Sequence, residues 1–198
     1  MNTGDTIPFG PFTWKVLDIQ PDKALIITES IIEQGPYNDT YTDTTWADCT
    51  LRKYLNNTFH DAFDHQDRGR ILPVVNKNHN NQWYGTTGGP DTQDKIFLLS
   101  IEEATCRYFG DSSSLLFKPG KNQRYWFQRK DPNNVHRIAL HNNGAAWWWL
   151  RSPGRVGIKA AYIHRDGNIG IQGNNILKGN LDEGKCRGGI RPALWLKL

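Results

Sequence analysis

The chain has 198 residues, of which 37% are hydrophobic and 12% aromatic. This size and composition favour one domain, residues 1–198, with one substantial core. No stretch approaches the roughly 20 apolar residues of a membrane span, and the N-terminus lacks the basic and apolar regions of a signal peptide. We therefore expect a soluble protein, cytoplasmic or virion-associated, without membrane insertion.

The formal net charge of +4 is unevenly distributed along the chain. Residues 151–198 hold nine Lys and Arg against three Asp and Glu, a balance of +6, whereas residues 1–150 hold fifteen against seventeen. A basic segment of this kind is typical of a face that binds an acidic partner such as nucleic acid. A solvated surface of strands and loops would have the same composition, so charge leaves both interpretations open.

The first sixty residues predict a hairpin followed by a helix. Apolar runs at Thr13–Ile19 and Lys23–Thr28 flank a Gln-Pro-Asp turn, which is typical of a β-hairpin. A helix capped by Thr44 or Thr45 is predicted next, because apolar residues then recur mostly four positions apart. These residues are Trp46, Leu51, Leu55, Phe59 and Phe63.

The central part of the chain predicts short elements around a polar loop. Ile71–Val75 and the apolar Ile96–Leu99 are strand candidates, and the glycine-rich Asn76–Pro90 between them is predicted to be a loop. The spacing of Ser100–Glu103 is a capping box, which predicts a second helix that ends near Gly110.

The last third of the chain predicts long loops and then short strands. Residues 111–146 are polar and broken by Pro and paired Asn, which predicts irregular structure. Asp166-Gly167 is a hairpin turn signal between two of the strands that follow. Two early helices, long loops and a C-terminal cluster of short antiparallel strands predict an α+β fold. The strands of this cluster are Trp147–Arg151, Lys159–Arg165, Asn168–Gln172 and Arg191–Lys197.

No catalytic or metal-binding motif is evident in the sequence. His60 and His65 lie five positions apart, so they do not share a helix face as an i, i+4 pair of ligands would. The three cysteines are far apart and outside C-x-x-C spacing, and Gly85–Gly89 lacks the lysine of a phosphate-binding loop. We expect a protein that is not an enzyme and that carries no cofactor and no metal.

Three C-terminal segments carry a resemblance to known proteins. WWWLRSPG (147–154), AAYIHRDGNI (160–169) and GGIRPALWLKL (188–198) resemble the end of a large bacterial and phage family of domains of unknown function. Its members read WWLRSPG, then an Asn- and Ser-rich run with AAYV and DG, then GVRPAL. The similarity continues upstream in GDTIPFGPFTWKVLDI, TTWADCTLRKYLNNTF and DKIFLLSIEEA, and so spans about residues 4–198.

This resemblance implies a C-type-lectin-like fold of the branch shared with formylglycine-generating enzymes. It also relates the chain to the variable proteins of diversity-generating retroelements, which mutate adenines in one short coding segment. In such proteins a fixed scaffold displays varied side chains that bind a ligand. Lys159, Gln172 and Lys178 depart from this pattern, because adenine changes in the favoured Asn codons AAC and AAT cannot produce Lys or Gln.

The residues themselves agree with a rigid scaffold beside a varied segment. Arg151 and Arg191 are expected to bind loop carbonyls or carboxylates rather than a ligand. The residues expected to pack as scaffold are large or rigid. They are Trp147–Trp149, Leu150, Pro153, Ala160, Ala161, Pro192, Leu194, Trp195 and Leu196.

The variable, ligand-binding segment is predicted at about 155–178. Because side chains alternate along a strand, Tyr162, Ile169 and Ile171 are expected to point inward. The remaining strand and loop positions are predicted to form the ligand-binding face. These are Arg155, Val156, Ile158, Lys159, His164, Arg165, Asn168, Gly170, Gln172, Asn174, Asn175 and Lys178.

We therefore predict a non-enzymatic ligand-binding protein whose partner is a protein or glycan on another cell or particle. A solvent-exposed face without a ligand is one alternative. A basic nucleic-acid-binding protein is a second alternative, although the sequence contains no recognisable nucleic-acid-binding motif. A copper-dependent oxidase similar to formylglycine-generating enzymes is a third, weakened because Cys186 alone among the cysteines lies in the C-terminal region.

Overall fold

The computed structural model describes residues 1–110, 131–179 and 188–198. Of these residues, 38% lie in strands and 16% in helices. The protein is thus mostly β, and the predicted α+β, C-type-lectin-like fold with two early helices is wrong. No helix in the described ranges is long and apolar enough to cross a membrane.

The strands are short and distributed over the whole described chain. Strands of two or three residues also form in stretches where loops were predicted, which is one reason for the excess of β structure. In chain order they are β1 (Thr6–Phe9), β2 (Phe12–Gln20), β3 (Lys23–Thr28), β4 (Glu33–Gly35), β5 (Ile71–Leu72), β6 (Val74–Asn76), β7 (Thr92–Asp94), β8 (Ile96–Phe97), β9 (Ala139–His141), β10 (Gly144–Ala146), β11 (Trp148–Pro153), β12 (Lys159–Ile163), β13 (Ile169–Asn175), β14 (Gly188–Ile190) and β15 (Ala193–Lys197).

The helical segments are brief and partly irregular. The predicted first helix is capped by Cys49 rather than by Thr44 or Thr45 and begins at Thr50, because the Sγ of Cys49 accepts the capping hydrogen bond from the Arg52 amide at 3.4 Å. The predicted capping box is confirmed, since Ser100 and Glu103 exchange bonds of 2.8 and 3.2 Å. The helical segments are Thr50–Tyr54 with the π-helical turn Leu55–Phe59 and the 3-10 turn His60–Ala62, then His65–Arg68, the π-helical Glu103–Arg107, and Asn134–Arg137.

Two larger sheets and two hairpins organise the strands. One sheet has the order β1-β2-β3-β15-β5, and β8 also pairs with β15. The other has the order β13-β12-β11-β14-β4, in which only the β11–β14 pair is parallel. The hairpins are β6–β7 and β9–β10. The predicted hairpin of β2 with β3 is confirmed, and so is the pairing of the C-terminal strands β11, β12 and β13.

Strand β11 lies in the middle of its sheet and is buried on both faces. Trp148, Trp149 and Leu150, with Trp147 just before the strand, are at most 5% exposed, as expected for a strand covered on both sides. The indole nitrogens donate to backbone carbonyls, Trp148 to Arg137 O at 3.0 Å and Trp149 to Gly35 O at 3.0 Å. The scaffold prediction is confirmed except at Trp195, which is half-buried.

The hairpin β9–β10 corrects the prediction of irregular structure at 131–146. Asn142 and Asn143 have φ of 50° and 66°, which matches the left-handed pair of a type I′ hairpin turn. The paired Asn residues therefore form a tight turn between strands. The remainder of the predicted loop region, 111–130, lies outside the described residues.

Candidate functional site

The predicted ligand-binding residues lie at two ends of the hairpin β12–β13. Lys159 pairs with Asn175, and Ile163 pairs with Ile169. Four residue steps along β12 therefore separate the two ends, which is about 13 Å. We call residues 155–159 with 172–178 the root surface, and residues 164–168 the hairpin turn.

The hairpin turn is anchored to the protein interior. The fully buried Arg137 donates from Nε to the Gly167 carbonyl at 2.9 Å. At the turn itself, the Asp166 carboxylate accepts from the Asn168 amide and contacts Nδ1 of His164, both at 2.9 Å. Arg165 is exposed and His164 half-buried, so the structure separates these two predicted site residues from those of the root surface.

Asn168 and Gly170 are corrections to the predicted ligand-binding face. Asn168 is 6% exposed, because the turn packs closely on the backbone of Asn134. Gly170 is buried as well, and a Cβ there would lie 2.1 Å from the ring of Tyr162. The expected inward set of Tyr162, Ile169 and Ile171 is confirmed by burial.

β13 carries a bulge between Gly170 and Asn174, on the side of Gly170 away from the hairpin turn. Ala160 pairs with Asn174 and Tyr162 with Gly170, so two steps along β12 correspond to four along β13. Within the bulge, Gly173 has φ of +75°, which side-chain-bearing residues rarely adopt. A bulge of this kind changes the direction of the side chains around it.

Main-chain hydrogen bonds hold the root surface in place. The Arg155 amide donates to Gln172 O at 2.8 Å. Two neighbouring loops also bind this backbone, since Thr86 Oγ1 donates to Arg155 O at 2.7 Å and the Thr44 amide donates to Gly157 O at 3.1 Å. The shape of the root surface thus depends on backbone atoms that any side chain leaves unchanged.

The polar side chains of the root surface fall into two groups: committed side chains, which hydrogen-bond within the protein, and uncommitted ones, which do not. Asn175 is committed, because its Oδ1 accepts from two amides of the turn that follows it. Within the described ranges, the other long polar side chains make no side-chain hydrogen bond and no ion pair. These uncommitted residues are Arg155, Lys159, Gln172 and Lys178.

Exposure varies over the root surface. Val156 is 41% exposed, and Arg155 and Lys178 are also exposed. The remaining predicted site residues of this surface are half-buried, namely Ile158, Lys159, Gln172, Asn174 and Asn175. The structure therefore brings eight of the twelve predicted site residues onto one surface with a basic character.

A narrow cleft of about 30 Å³ lies beside this surface and was not predicted from the sequence. The loop 77–83, the start of the helical segment at Ser100–Glu102, and Arg151–Pro153 line it. Asn81 fixes the loop, because its Nδ2 donates to Pro153 O and Ile171 O, both at 2.9 Å. The one signal in the sequence was the density of amide side chains around a Trp in a long loop, and such loops are often functional.

Arg151 forms one wall of the cleft, and its guanidinium is bound by other groups of the protein. It forms a bidentate ion pair with the Glu103 carboxylate and donates to Leu98 O at 2.8 Å. Burial raises the pKa of Glu103, but the charge and hydrogen bonds of Arg151 outweigh it and lower the pKa overall. Arg191 likewise donates to the Thr28 carbonyl at 2.9 Å. Both arginines bind protein groups as predicted.

Thiol and metal chemistry finds little support in the described part of the chain. Burial raises the pKa of the Cys49 thiol to about 12, which leaves it protonated and a poor copper ligand at neutral pH. Cys106 is half-buried, and Cys186 lies outside the described residues. No group of three or more His, Cys, Asp or Glu side chains in the described ranges could hold a metal ion.

Comparison with known proteins identifies the family of the chain. The sequence model of a family described as Domain of unknown function (DUF6273) matches residues 21–198. The match covers most of the chain, so the chain belongs to this family. No curated protein and no solved structure shows significant similarity to it.

Proposed function

We propose that this member of the DUF6273 family is a non-enzymatic ligand-binding protein that displays a varied set of side chains on its root surface. The binding residues are the exposed and half-buried ones of 155–159 and 172–178. We propose further that its relatives include targets of diversity-generating retroelements and that the coding segment for these residues is the diversified one.

One observation supports this proposal above the others. The backbone of the root surface is held by its own amides and carbonyls and by Thr86 and Thr44, whereas Arg155, Lys159 and Gln172 contribute no side-chain hydrogen bond within the described ranges. A surface of this kind can change its side chains without losing its shape. Antibody loops use the same division between a fixed framework and variable contacts.

The chemistry of the surface suits a macromolecular partner. Arg155, Lys159 and Lys178 are cations without an ion-pair partner among the described residues. Val156 adds exposed apolar area, and Tyr41, 53% exposed, belongs to the neighbouring loop that binds Gly157. Cations of this kind speed the encounter with an acidic partner, and a preformed backbone reduces the ordering cost of binding. We propose a protein or glycan on another cell or particle as the ligand.

A pair of combinatorial libraries tests this proposal. Both are displayed on yeast, scored for folding by protease resistance, and sorted against a panel of unrelated proteins and glycans. The proposal predicts that most root-surface variants fold and that binders appear for several targets. The first library randomises Arg155, Val156, Lys159, Gln172 and Lys178, and its matched control randomises the buried Ala160, Ala161, Tyr162, Ile169 and Ile171.

The control library should fold rarely, because each of its positions is at most 5% exposed. Equal folding of the two libraries would remove the distinction between scaffold and displayed positions. A root-surface library that folds but contains no binder for any target would contradict the binding role.

A further inference from the structure

The loop 39–43 lies beside the root surface and is exposed along its whole length. Tyr41, at its centre, is 53% exposed. Single exposed aromatic residues are common on protein surfaces, so exposure alone assigns no role to Tyr41. Its attachment to the root surface is what distinguishes it. We call residues 39–43 the tyrosine loop.

The buried side chain of Asn38 orders the tyrosine loop. Its Nδ2 donates to the carbonyl and to the hydroxyl of Thr40, both at 3.0 Å, and its Oδ1 accepts from the Thr50 amide at 3.1 Å. The Asp39 amide donates to Thr50 Oγ1 at 3.0 Å. Because the loop is ordered before a partner arrives, binding has to fix only the few torsions of the Tyr41 side chain, and the ordering cost is low.

Backbone hydrogen bonds attach the tyrosine loop to the root surface on both sides. Just before the loop, the Asn38 amide donates to Ile176 O at 3.1 Å, and just after it the Thr44 amide donates to Gly157 O at 3.1 Å. Both acceptors are main-chain atoms of the root surface. The loop therefore keeps its place whichever side chains the root surface carries.

Asp43 brings Tyr41 close to Val156. A Cβ at Gly157 would lie 2.7 Å from Cγ of Asp43, so this side chain packs directly on the glycine. Tyr41 is two positions from Asp43, at most about 7 Å of chain, and Val156, which is 41% exposed, immediately precedes Gly157. Two exposed apolar side chains thus flank the contact, one from the tyrosine loop and one from the root surface.

Charges of both signs surround these two side chains. The root surface contributes Arg155 and Lys178, and the tyrosine loop contributes Asp39 and Asp43, all of them exposed. None of the four has an ion-pair partner among the described residues. An apolar centre with a polar rim is the anatomy of a protein–protein interface, whereas the two carboxylates would repel a nucleic acid or an acidic glycan.

We infer that the tyrosine loop is a constant part of the binding face and that the partner is a folded protein. This inference rests on the proposed function and extends it. The varied side chains of the root surface select the partner, and Tyr41 supplies the same aromatic contact to each partner. Tyrosine is enriched among the residues that dominate binding energy, because its ring combines a large apolar area with a hydroxyl group.

Binders from the root-surface library, which leaves Tyr41 unchanged, test this inference. The targets are lysozyme and ovalbumin as folded proteins, and heparin and dextran as glycans. Selected clones receive Tyr41→Ala or Tyr41→Phe, and biolayer interferometry measures the affinity of the purified full chain. Tyr41→Ala should weaken most binders of the two proteins by about tenfold or more. Tyr41→Phe should keep affinity within about fivefold, because only one hydrogen bond is at stake.

Val135→Ala is the matched control and should leave affinity unchanged. Val135 is 63% exposed and adjoins Asn134, on which the hairpin turn packs at the other end of the hairpin β12–β13. Melting temperatures verify that all three variants fold. Protein binders that keep their affinity with Tyr41→Ala, or clones that bind the glycans alone, would overturn the inference and leave the proposed function intact. Absence of binders for all four targets would contradict the proposed function and this inference with it.

Discussion

Asn81 is the residue whose loss should most damage the root surface and the cleft beside it. Asn81→Ala removes the two bonds to the buried Pro153 and Ile171 carbonyls and the two that its Oδ1 accepts from the Trp83 and Tyr84 amides. We assign about 1 kcal/mol to each buried carbonyl and about 0.5 kcal/mol to each half-buried amide, which water can partly reach. The free energy of unfolding should then fall by about 3 kcal/mol.

Urea denaturation measures this loss, and thermal melting verifies it. For a chain of this length, about 3 kcal/mol corresponds to a melting temperature lower by roughly 6–12 °C. Asn80→Ala is the matched control, because Asn80 is exposed and its side chain accepts one bond, from the Gly88 amide at 3.1 Å. If Asn81→Ala lost no more stability than Asn80→Ala, the loop would not be held by this side chain.

Three further predictions concern the scaffold. Trp148→Ala should lower the free energy of unfolding by about 3–5 kcal/mol in urea denaturation, as is usual for a core Trp; a change below about 1 kcal/mol would contradict its place in the core. Gly170→Ala should cost about 1–3 kcal/mol, since its Cβ would meet the Tyr162 ring, and unchanged melting would contradict this contact. The pKa of Glu103 is lowered in the folded protein, so the stabilisation by Arg151 is present above the unfolded pKa of about 4.3 and is lost as pH falls through the folded value. Glu103→Gln should flatten this acid-dependent part of the urea midpoint, and an unchanged pH profile would contradict the pairing.

The parts of the fold with a strong local signal were predictable from the sequence. The hairpin of β2 and β3 follows from its apolar runs and its turn, and the capping box at Ser100 from its spacing. The burial of Trp147–Trp149 follows from residue size. The fold class was not predictable in this way, because a strand as short as Glu33–Gly35 depends on pairing with the distant β14 and carries little periodicity of its own.

The root surface and the cleft were predictable only in part, for two physical reasons. Arg155 and Lys178 were correctly placed outside as loop residues. Alternation failed at Gly170, because the ring of Tyr162, its partner on β12, covers the face on which Gly170 lies. The cleft depends on contacts between residues far apart in the chain, such as Asn81 with Pro153. A sequence pattern does not show contacts of this kind.

Sequencing the coding region for residues 140–198 across the source population tests the central claim most directly. The account predicts dense replacement at Arg155, Val156 and Ile158 and at their root-surface neighbours, with Trp147–Gly154 and Gly189–Leu196 unchanged. Gly173 should also stay constant, because its positive φ disfavours other residues. A segment that is uniform across the population, or whose replacements fall on the buried positions as often as on the root surface, would contradict a varied binding face.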